Sequence, residues 1–127
     1  MDKISLEEKF GRFSERWRPK LVAELNGQEV KLVKVEGVFP WHRHEEADEM
    51  FLVWRGRFRV EFRDRTVEMG PGEMVVVPRG VEHRTAAPQR RRFGAVAQRR
   101  HSRRLGANRV GVAAPGKRLA TGLMAQS

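Results

Sequence analysis

Arg57-Phe58-Arg59-Val60-Glu61-Phe62-Arg63 alternates without a break between apolar and charged residues. A β-strand points successive side chains to opposite faces, so Phe58, Val60 and Phe62 share one face and four charges share the other. That is a strand with one face on a core and one in water, the pattern of an antiparallel sheet. The pattern repeats outward in both directions. Upstream, Arg55-Gly56-Arg57 reads as a turn and Phe51–Trp54 as a buried strand. Downstream, Arg63-Asp64-Arg65 turns the chain and Thr66–Met69 returns. Gly70-Pro71-Gly72 turns it again, and Met74–Val77 is a short apolar strand closed by Pro78-Arg79-Gly80.

Further upstream, Lys20–Leu25 and Glu29–Val35 flank Asn26-Gly27. That dipeptide is the strongest short hairpin signal, because a type I′ turn needs φ > 0 at both central residues. Ser5-Leu6-Glu7-Glu8 reads as a capping box that opens a short helix over about Leu6–Ser14. Pro19 closes that segment. Short strands separated by Gly, Pro and Asn turns signal an all-β sandwich or barrel, here from about Lys20 to Ala87.

The histidines give this scaffold its chemistry. His42 and His44 are one residue apart, so in extended chain both imidazoles project to one face. Glu49 follows at the head of Met50-Phe51-Leu52-Val53-Trp54, and His83 follows the Pro78-Arg79-Gly80 turn. An antiparallel barrel can bring these distant positions together. His42, His44, Glu49 and His83 then make a site of three nitrogens and one carboxylate. Such a set suits a divalent transition metal (Fe, Mn, Zn, Ni or Cu) and leaves coordination positions open for a ligand. Glu45, Glu46 and Asp48 read as a solvated loop. Trp41, Phe51, Trp54, Phe58 and Phe62 read as core or pocket wall. His101, in an Arg-rich stretch, is not expected to be a ligand.

These residues resemble a known family. Gly37-x4-His42-x-His44-x4-Glu49-x6-Gly56 resembles the first motif of the cupins, and Gly72-x5-Pro78-x-Gly80-x2-His83 resembles the second. The resemblance covers about residues 30–87, and the wording is similar to small cupins of the mannose-6-phosphate isomerase-like type. It implies an all-β, cupin-type jelly-roll β-barrel with the metal inside its mouth, held by His42, His44, Glu49 and His83, and frequent homodimers. Two departures stand out. Ala87 occupies the place where the second motif commonly carries Asn. The closing apolar strand expected next is replaced by Arg90-Arg91-Arg92-Phe93-Gly94-Ala95-Val96-Ala97-Gln98-Arg99-Arg100.

Composition divides the chain at the same place. The net charge is +10 over 127 residues, but all 16 acids lie in residues 1–84 with 16 of the Lys and Arg. Residues 85–127 carry the other 10 basic residues and no acid. We therefore expect a cupin domain over 1–88 and an Arg/Ala/Gly-rich basic tail over 89–127. From Gln98 onward neither strand nor helix periodicity is visible, and the composition is that of disorder. The tail reads as a solvated extension, as a shifted reading frame in GC-rich DNA, or as a nucleic-acid contact. The last lacks the aromatic interleaving of single-strand binders, since Phe93 is the only aromatic after residue 84. Nucleic acid is thus not the expected partner.

With no cysteine, a disulfide framework and a thiolate metal site are excluded. The first residues lack the apolar core of a secretory signal, and no apolar run reaches a membrane-spanning length of about 20 residues. The expectation is a cytoplasmic protein whose metal binds a small polar molecule. It is either an enzyme of dioxygenase or sugar-isomerase type, or a non-catalytic binding module.

Overall fold

The computed structural model describes residues 1–88 and a strand at 107–114. The chain opens with helix α1 (Leu6–Phe10) and continues through β1 (Lys20–Leu25), β2 (Gln28–Lys34), β3 (Gly37–Val38) and β4 (Ala47–Val53). Then follow β5 (Phe58–Phe62), β6 (Thr66–Met69), β7 (Met74–Val77), β8 (His83–Ala87) and β9 (Ala107–Ala114). They form a five-stranded sheet in the order β1-β2-β9-β4-β7 and a four-stranded sheet in the order β3-β8-β5-β6.

The two sheets share one core. Val33, Phe51, Val53 and Val77 come from the first, Phe58, Val60, Met69 and Ala87 from the second. Strand alternation selects them. In β4 the inward row is Ala47, Glu49, Phe51 and Val53, all buried, while Asp48, Met50 and Leu52 are only partly covered. The opposite face of the five-stranded sheet is covered by a second cluster, in which Phe10 of α1 and Leu32 of β2 meet Leu6, Phe13, Val22, Leu52 and Trp54. This is the jelly-roll arrangement, two sheets closing around one apolar interior.

Local chemistry explains the connections. Asn26 and Gly27 take φ of 53° and 76°, and Leu25 pairs with Gln28 across them. The two-residue hairpin turn is therefore as the sequence requires. Ser5 caps α1 by accepting from the Glu8 N–H at 3.2 Å. The helix is shorter than the expected Leu6–Ser14, because Gly11 ends it and its N–H donates to the Glu7 and Glu8 carbonyls. Phe13 still packs on Phe10 from outside the helix, with ring centroids 5.9 Å apart.

The basic tail needs a correction. Ala107–Ala114, expected to be aperiodic and without structure, forms β9 and lies between β2 and β4, parallel to both. The unit 1–88 is thus not the whole of the sheet. A strand flanked by parallel neighbours has no reason to alternate in polarity, and it reads as a continuous apolar run. Here that run is Val110-Gly111-Val112-Ala113-Ala114, whose Gly and Ala residues also carry weak strand propensity. The arginine clusters 90–92, 99–100 and 103–104, with Phe93 and His101, lie outside the described residues.

No helix among the described residues is long and apolar enough to cross a membrane.

Candidate metal centre

Three chain segments converge at one end of the barrel interior. Glu49 is the third residue of β4 and faces inward in an otherwise apolar row. His83 is the first residue of β8. His42 and His44 sit in the irregular segment between β3 and β4, not in a regular strand. His42 is nevertheless extended where it matters, because it bridges His83 with two backbone hydrogen bonds, each 2.9 Å. The His44 carbonyl accepts from the Gly80 N–H at 2.7 Å. Gly80 takes φ +81°, which favours glycine at this close approach between the two motifs.

All four expected residues come together. One donor atom from each of His42, His44, Glu49 and His83 lies within 4.8 Å of the others. Glu49 Oε1 is 3.4 Å from His44 Nε2 and 3.3 Å from His83 Nε2. With metal–ligand bonds of about 2.1 Å, donors around one ion stand about 3 to 4 Å apart, so this cluster needs little adjustment.

Hydrogen bonding presets the donors. His83 Nδ1 donates to the Val81 carbonyl at 2.9 Å and His42 Nδ1 to the Pro40 carbonyl at 2.8 Å. A carbonyl only accepts, so each Nδ1 carries a proton and each Nε2 is the nitrogen left facing the cluster. His83 Nε2 is fully buried and has no hydrogen-bond partner among the described residues. Glu49 Oε1 stands 3.3 Å from it. Three imidazole nitrogens and a carboxylate oxygen gathered this closely are a donor set that fits a divalent metal. Burial pushes the His42 imidazole down to about 4, with His83 and His44 adding to the effect against the opposing pull of the Pro40 carbonyl and Glu49. A neutral imidazole is the form that binds metal.

The walls are aromatic. Phe39 meets His42 edge-on at 4.9 Å, and Phe51 and Phe62 lie 6.3 and 6.5 Å from the His83 ring. On the outside, Arg63 stacks over Trp41 at 3.8 Å, with Arg84 5.0 Å from the same ring. Arg63 also grips Glu82, and Arg84 grips Glu61. This lattice fastens the residue before His42 to the two residues that flank His83.

Two supports escaped the sequence reading. Asp48, expected in a solvated loop, accepts from the Arg79 N–H at 2.8 Å and so ties β4 to the turn before His83. Its signal was its place one residue before Glu49, which turns it outward. The second is the pair of backbone carbonyls at Pro40 and Val81, which carry no side-chain signature.

Comparison with known proteins gives the family. The family model described as a cupin domain matches residues 28–93, more than half of the chain. The chain belongs to the cupin family. An uncharacterized Bacillus subtilis (strain 168) protein, YdbB, is 31% identical over 81 residues, which span 63% of this chain and 66% of that protein, just under two thirds. A crystal structure of a cupin-2 domain containing protein from Shewanella frigidimarina is 44% identical, with a TM-score of 0.66 over 68% of this chain and 84% of that one. The structure of NMB1881 from Neisseria meningitidis is 27% identical, with a TM-score of 0.65 over 77% and 95%.

Proposed function

We propose that this cupin holds one divalent transition metal through His42, His44, Glu49 and His83 and presents it to a small, oxygen-rich polar ligand in the barrel mouth. The observation that carries this reading is the convergence of four donor atoms within 4.8 Å, two of them imidazoles whose Nδ1 protons are already committed to carbonyls. A metal so held supplies Lewis acidity and open coordination positions. The chain's own residues orient the donors, keep His42 neutral, and exclude water with Phe39, Phe51 and Phe62.

In this reading the protein is an enzyme of dioxygenase or sugar-isomerase type, working in the cytoplasm as a homodimer. A second reading, capture of the ligand without turnover, is favoured by one observation. Apart from the four donors themselves, the rings packed against the imidazoles among the described residues are the phenyl groups of Phe39, Phe51 and Phe62, which neither donate nor accept a proton.

Metal analysis of the purified protein beside His42→Ala and His83→Ala tests the site. Stoichiometric metal in the wild type that is lost in both variants supports it, and a wild type that takes up no metal overturns it. Dioxygen consumption or sugar turnover by the loaded protein separates the enzyme from the binding module.

A further inference from the structure

A cavity of about 480 Å³ lies beside the metal centre, between the β5–β6 turn and the end of β7. Its volume falls in the range of small-molecule sites, roughly 300–1,000 Å³. Phe62, Val75, Pro78 and Val81 give it an apolar lining, and Arg63, Asp64, Arg65 and Glu82 bring charge to it. The Phe62 ring also meets His83, so cavity and metal centre share a wall.

The charges are not equivalent. Arg63 and Glu82 neutralise each other through two hydrogen bonds of 3.0 and 3.2 Å. Arg65 forms no ion pair among the described residues and lies with its guanidinium 5.5 Å from the Phe62 ring centroid. Its turn is fixed, because the Phe62 N–H donates to the Arg65 carbonyl at 2.7 Å. The site therefore offers a half-open cavity with an apolar side and one guanidinium that forms no ion pair among the described residues, with Asp64 beside it as an opposing charge.

We propose that this cavity binds a small monocarboxylate with an apolar body, with the ring or short chain against Phe62, Val75 and Val81 and the carboxylate on Arg65. A guanidinium meets a carboxylate with two parallel hydrogen bonds, which a neutral or cationic head group cannot reproduce. The site needs none of the four metal-centre residues, so it stands or falls apart from the proposed metal function.

The test is calorimetric titration of benzoate into the full chain after metal removal by chelation, with Val75 and Val81 methyl NMR shifts as the positional readout. Saturable binding is expected, weakened about tenfold or more in Arg65→Gln, strengthened in Asp64→Asn, and unchanged in His42→Ala. Benzamide should bind at least about tenfold more weakly than benzoate. Val75→Phe, which fills the chamber without touching the charge, should abolish binding. Arg65 is exposed, so Arg65→Gln is expected to fold. No saturable binding in the folded wild type overturns the proposal. So does binding that Arg65→Gln leaves intact, or binding that His42→Ala removes, since the latter assigns benzoate to the metal centre.

Discussion

Glu49→Gln should lose most of the stabilisation that metal gives the wild type. Glu49 is fully buried in the inward row of β4. A change of about 1 kcal/mol moves the Tm of a domain of this size by about 4 °C or more. At a free metal concentration of 100 times the wild-type Kd, binding stabilises the wild type by about 2.7 kcal/mol, or about 10 °C or more. Altering a mere support of a ligand costs 10–100-fold in metal affinity, so a lost ligand should cost at least about 100-fold. At the same metal concentration the variant then gains about 0.4 kcal/mol, about 3 °C at most. The metal-induced rise in Tm should thus be several times larger in the wild type than in the variant. Thermal denaturation of both proteins in chelator and in excess metal reads this directly. Equal metal-induced shifts would refute Glu49 as a ligand.

Three further outcomes follow from the same structure. In metal-free protein, His42 titrates near 4 when folded and near 6.5 when unfolded, so the unfolded chain binds more protons between those values. Stability should therefore be full above pH 6.5, fall as the pH drops toward 4 and level off below it, and denaturant titrations of His42→Gln should lose that part of the slope. Asp48→Ala removes the acceptor for the Arg79 N–H; metal titration should show about tenfold weaker binding, with about 1 kcal/mol of stability lost by chemical denaturation. Phe51→Ala empties a fully buried position between the sheets and should cost about 3–5 kcal/mol in urea unfolding.

Some features of this protein are local, and the sequence carries them in full. The alternation from Phe58 to Phe62 defines a strand because the side-chain period is a property of the backbone itself. Asn26-Gly27 defines its turn because positive φ restricts the residue type. The four donors were legible because metal chemistry admits few residue types, and their spacing fits two short motifs.

Other features depend on what the fold brings alongside, and single-sequence patterns do not carry them. Arg16 and Glu36 carry no pattern that marks them, yet both are buried and form an ion pair at 3.7 Å. Nothing in either residue's neighbourhood announces the other, since long charged side chains are ordinarily exposed. Trp41 reads as core or pocket wall, and nothing near it in the chain announces the two arginines, Arg63 and Arg84, that lie over its ring. β9 reads as formless, because its pairing comes from β2 and β4, far away in the chain. The sequence by itself determined the strand pattern, the hairpin and which four residues are candidate donors, all set by backbone geometry and donor chemistry within a few residues. Only the tertiary structure decided how close those donors stand, which carbonyls fix their protons and what walls surround them, because these are contacts between segments that the chain order leaves far apart.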